Sequence, residues 1–182
     1  MKRVFKHRQN GFVLVVSMIF LIIMTMLAVT AIKKATLDEK VTGNLRAQDL
    51  AFQAAEKALR FCESNLVLAV GSLQMCQLRT GATVQVIPSK KESDITDVTK
   101  NFPDEWSKAA NWTDGGEFPA IKLAGVNQIS NVVEQPRCMI ERWEIPNDRG
   151  KDFYPYVITA RGVGSVDTAK VWLQEVIRCG NN

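Results

Sequence analysis

The sequence predicts an α+β fold: one long N-terminal α-helix, half of it membrane-spanning, packed on an antiparallel β-sheet head. Three observations predict it. An uncharged apolar run covers residues 12–32, helical periodicity continues without a strong breaker to about residue 65, and short β-rich segments separated by turn formers follow.

The apolar run FVLVVSMIFLIIMTMLAVTAI is broken only by the hydroxyls of Ser17, Thr25 and Thr30, and it is long enough to span a bilayer as a helix. Lys2, Arg3, Lys6 and Arg8 precede it with no acid among residues 1–11. They account for the whole formal charge of +4, leaving nineteen basic and nineteen acidic residues in the rest of the chain. No nucleic-acid surface is implied, because phosphate binding needs clustered Lys and Arg. The only histidine, His7, lies in the same leader. Its removal would leave no imidazole for Ser-His-Asp or Cys-His catalysis or for a histidine metal site. No nucleophile-base pair stands out elsewhere, and neither a cofactor nor a metal is expected.

Beyond Lys33 and Lys34, Val41, Leu45, Phe52, Ala55, Leu59, Cys62 and Leu66 recur at spacings of three, four or seven and predict one apolar stripe. Gly43-Asn44 is the weak point, a place for a kink or local unwinding. A continuous helix from Phe12 to Ser64 would be about 80 Å long. In the head, strands are expected over 82–87, 136–145, 153–163 and 169–179, the last three forming an antiparallel meander around turns at 146–150 and 162–167. Residues 89–135 show little periodicity and read as a long irregular insertion, the expected partner-recognition surface of the head formed by residues 66–182. Its acids, Asp94, Asp97, Asp104 and Asp114, lack EF-hand spacing and read as a solvated loop. Trp106 and Trp112 are expected to be buried. Asn111-Trp112-Thr113 is a formal glycosylation sequon, without meaning in a bacterium.

Cys62, Cys76, Cys138 and Cys179 all follow the span, and an even number in an exported domain favours disulfides, with three possible connectivities. The favoured pairing joins Cys62 with Cys76, tying the helix end to the next loop, and Cys138 with Cys179, tying two strands. The spacing does not match paired CxxC zinc units.

The junction Gln9-Asn10-Gly11-Phe12, a basic leader ending in Gly and followed at once by Phe and the apolar run, resembles the class III signal of type IV prepilins and pseudopilins. That resemblance implies a prepilin peptidase as partner, cleavage after Gly11, methylation of the new amine of Phe12, and a leader 1–11 held on the cytoplasmic side. The segments 35–46 (ATLDEKVTGNLR) and 50–60 (LAFQAAEKALR), with YVITARGVG at 156–164, resemble PilX minor pilins. The resemblance implies the pilin fold and a subunit that joins other minor pilins, pilus subunits and a large tip adhesin in an initiating tip complex. It also implies an inner-membrane location with the head in the periplasm before assembly, and the pilus surface after it. Many pilins carry Glu as the fifth mature residue; here that position is Val16. A subunit without this acid cannot attract a neighbour's amine there, which suits the filament tip. Two other readings stay open: a minor pseudopilin of a type II secretion system, and a membrane-anchored periplasmic binding protein that never polymerises.

Overall fold

The computed structural model describes residues 12–68, 76–78, 84–88, 102–143 and 155–178. These divide into two compact units, one ending at Asn44 and the other beginning at Leu45. Phe12–Asn65 forms a single α-helix, α1, and its Gly43-Asn44 step remains helical.

In the first unit every large apolar side chain from Phe12 to Ile32 is exposed. The hydroxyls of Ser17, Thr25 and Thr30 each donate to the carbonyl three residues back, at 2.8, 2.8 and 2.9 Å. None of these three hydroxyl hydrogens therefore needs an outside partner. The helix is long and apolar enough to cross a membrane.

The second unit is a head built on a mixed sheet. A two-stranded ribbon, β1 (Leu66–Leu68) with β2 (Cys76–Leu78), follows the helix. The main sheet contains β3 (Val86–Ile87), β4 (Ile121–Lys122), β5 (Arg137–Arg142), β6 (Pro155–Val163) and β7 (Lys170–Arg178). Strands β5, β6 and β7 form the expected antiparallel meander. Two short strands share the outer edge of β5: β3 runs parallel to it, pairing Val86 with Ile140, and β4 runs antiparallel, pairing Ile121 with Cys138. The sheet is thus α+β and mixed rather than wholly antiparallel. The turn expected at 146–150 lies outside the described residues.

Alternation sorts the strands into two faces. Cys138 and Ile140 of β5, with Ile158 and Ala160 of β6, join Ala58 and Cys62 of α1 in the main core. On the helix the buried residues are Ala47, Ala51, Ala54, Ala55, Ala58 and Cys62. This corrects the expected stripe: Ala55 and Cys62 are buried and Leu59 is partly so, but Leu45 and Phe52 are 64% and 46% exposed. The reason is Gly162 on β6 and Gly164 just beyond its end, which have no side chain and admit the helix backbone itself. A Cβ at Gly162 would stand 2.1 Å from the Ala51 carbonyl oxygen, and one at Gly164 2.1 Å from that of Ala47. Only an alanine face fits so close an approach.

The opposite face of the sheet is covered by part of residues 102–135, while Leu123 of the same span is buried in the helix-side core. Trp112, Ala120 and Met139 are buried together, with Trp106 and Phe118 packed against them. The described part of the expected insertion is irregular in secondary structure and packs Trp106, Trp112, Phe118 and Ala120 onto the sheet, while Asp104 and Asp114 stay exposed.

Candidate assembly surfaces

Phe12 is the first residue of α1, with no acidic side chain in its first turn, and Val16 lies one turn on; both are exposed. Gly11 lies outside the described residues. From Phe12 onward the helix offers only apolar side chains and self-satisfied hydroxyls until Lys33. Such a surface can meet lipid or similar helices at comparable cost, because apolar contact alone distinguishes little between them inside a bilayer.

The cysteines correct the expected pairing. Cys62 is bonded to Cys138, with Cα atoms 6.3 Å apart and 76 residues between them in sequence. The bond ties α1 to the central strand β5 instead of to the neighbouring loop. Position explains it: Cys62 belongs to the buried alanine face, and Cys138 points to that face from β5. The alternative partner of Cys138, Cys179, lies outside the described residues, and Cys76 opens β2.

The second layer is fastened by groups the sequence did not reveal. Glu134 Oε1 accepts from Arg137 Nε at 3.1 Å and from Arg161 Nη2. Arg137, 95% buried at its side chain, also donates to the Ala120 carbonyl at 3.2 Å and pairs with Asp114 at 2.8 Å. That guanidinium holds the Asp114 carboxyl below its usual range. Asn111 is buried, its amide donating to the Glu105 carbonyl and carboxylate at 3.1 and 2.9 Å, so the formal sequon offers no accessible nitrogen. Glu141 of β5 accepts the Glu105 amide at 2.9 Å through Oε1, and burial pushes its pKa up to about 7 against the lowering effect of the Glu105 and Trp106 amides. Trp112 meets Trp172 of β7 edge-on at 4.6 Å, with the Arg161 guanidinium 5.5 Å from the Trp112 ring. A cleft of about 710 Å³ lies where β3 and β4 adjoin, lined by Val86, Phe118, Ile121 and Met139. Among the described residues no group of His, Cys, Asp and Glu could hold a metal ion.

The only sequence signals for these contacts are weak ones: alanines at 47, 51, 55 and the Gly162-x-Gly164 step mark the close helix-sheet approach. Nothing in the run Arg137 to Arg142 marks Glu141 as buried.

Two family models match the chain. PilX N-terminal matches residues 10–60, and Type IV pilus assembly protein PilX C-term matches residues 73–179. No curated protein and no solved structure matches it.

Proposed function

This chain belongs to the PilX family of type IV pilus proteins, and from that premise we propose that it is a minor pilin that takes part in starting pilus assembly, in a tip complex with other minor pilins. It performs no reaction of its own. The observation that carries this reading is the uncharged, wholly exposed surface of α1 from Phe12 to Ile32 on a chain whose remainder buries a core.

In this account a prepilin peptidase cuts after Gly11 and the amine of Phe12 is methylated. Before assembly the apolar half of α1 sits in the inner membrane with the head in the periplasm, and it then exchanges lipid for neighbouring helices. Val16 supports a tip position, because a hydrocarbon side chain at the fifth mature residue offers no carboxylate to the amine of another subunit. The head, held to α1 by the Cys62–Cys138 bond, presents the surfaces that other minor pilins and a tip adhesin would contact.

A deletion strain tests the reading. Loss of surface pili and of twitching, restored by the intact gene but not by one lacking residues 12–32, is the expected result. Intact piliation with defective exoprotein secretion would move the chain to a type II secretion pseudopilus. Wild-type behaviour in both assays would reject the assembly role.

A further inference from the structure

Within the second unit the alanine face of α1 lies on the sheet, with Ala47, Ala51 and Ala55 against Gly164 and Gly162. At about 100° per residue, Lys57 falls on one side of that face and Leu45, Phe52 and Leu59 on the other. Lys57 Nζ donates to the Gln128 carbonyl at 3.2 Å, so its side belongs to the segment that leads into β5. The other side overlooks β7, whose Val171 packs with Ala47 and Ala51. Leu173 and Glu175 share that side of β7, because they pair with the core residues Ala160 and Ile158. Leu45, Phe52 and Leu59 recur at intervals of seven, which keeps them in a row almost parallel to the helix axis and about 10 Å apart. Leu45 and Phe52 are exposed and Leu59 is half-buried. A row of this spacing is the seam that one helix presents to another. A strand repeats every second residue and does not match it.

Charge selects the kind of helix. Asp49, Glu56 and Glu63 repeat at the same interval, four residues after each member of the row, and border it on the solvent side. Glu175 borders it from β7. The cation beside these acids is Arg60, which is bonded to Glu63 at 2.7 Å. Its pKa is raised first by the hydrogen bond and charge of Glu63 and then by the charges of Glu175 and Glu56, so one guanidinium serves three carboxylates. Asp49 accepts from the neutral amide of Gln53 at 2.9 Å. After the Arg60–Glu63 pair is set aside, Asp49, Glu56 and Glu175 leave both borders of the seam acidic. A second copy fits poorly. Two chains held in one membrane by the same span lie parallel, and a parallel pair sets one border of each seam against the opposite border of the other, acid against acid. We propose that the Leu45–Phe52–Leu59 flank of α1 is the docking site for an amphipathic α-helix of a different protein, apolar at heptad positions and flanked by Lys or Arg. The proposal requires only the folded head and does not depend on the filament reading.

The test uses the full chain in phosphatidylcholine nanodiscs, with empty nanodiscs as the blank, and a fluorescently labelled three-heptad peptide with Leu at positions a and d and Lys at e and g. The same peptide with Glu in place of Lys is the control. The Lys peptide is expected to bind saturably, on the order of tenfold more tightly than the Glu peptide. The double variant Asp49→Lys with Glu56→Lys is expected to reverse that preference. Phe52→Asn removes the central side chain of the row and is expected to weaken binding of the Lys peptide on the order of tenfold while the thermal unfolding transition is kept. Leu45→Gln, at a more exposed position, carries the same expectation and keeps the test decisive should Phe52→Asn fail to fold. Equal binding of the two peptides, a preference unmoved by the double variant, or an affinity unmoved by a folded Phe52→Asn or by Leu45→Gln would overturn the proposal. So would a dimer of the full chain that Phe52→Asn dissolves, which would assign the seam to a second copy.

Discussion

Gly162 of β6 lies against the backbone of α1 so closely that a Cβ there would stand 2.1 Å from the Ala51 carbonyl oxygen and 2.4 Å from the Ala55 amide nitrogen. Both obstacles are backbone, so no side chain can swing aside. Gly162→Ala is expected to destabilise the head by about 3 kcal/mol, the upper range for overpacking. Gly43→Ala, where nothing lies within 4 Å of the added methyl, is the control: in a helix interior it should stabilise by up to ~1 kcal/mol. Thermal unfolding followed by circular dichroism checks both, and a neutral Gly162→Ala would mean that the helix sits farther from the sheet.

The Cys62–Cys138 bond closes a loop of 76 residues in sequence separation. Replacing both cysteines by serine is expected to cost about 4 kcal/mol, most of it through the entropy regained by the unfolded chain. Peptide mapping without reductant is expected to recover Cys62 linked to Cys138, and by elimination Cys76 linked to Cys179. Recovery of Cys62 linked to Cys76 would contradict the arrangement of helix and sheet described above.

The second layer is expected to loosen as pH rises from about 4.5 to about 7. Burial raises the Glu141 carboxyl from 4.5 to about 7, while its Oε1 holds the Glu105 amide. A group whose pKa is higher in the folded state than in the unfolded one contributes stability in full below the unfolded value, here 4.5, and loses it as pH rises through about 7. Stability should therefore fall across that window. Glu141→Gln keeps an acceptor for Glu105 and removes the titration, so it should flatten the fall and add on the order of 2 kcal/mol at about pH 8. Urea unfolding at a series of pH values checks this, and parallel wild-type and variant curves would refute it.

What could be read from the sequence followed from what each signal encodes. The apolar span was legible because lipid demands an unbroken run, and the meander because alternation and turn formers repeat locally. The packing face of α1 was not, since periodicity counts large apolar residues and the true contact is made of alanines against Gly162 and Gly164. Leu45 and Phe52 were read as core for the same reason and lie exposed. The partner of Cys62 was hidden because it depends on which strand passes under the helix end, a matter of topology. Glu141 and Glu134 look like ordinary surface acids until the layer covering them is known, and that layer, 102–135, has too little regular structure to betray its packing.

The account stands or falls on the fate of the basic leader, and intact-mass analysis of the protein extracted from native membranes measures it directly. The account predicts a polypeptide that begins at Phe12 and carries one extra methyl group on its N-terminal amine. A functional protein that still begins at Met1 would contradict it.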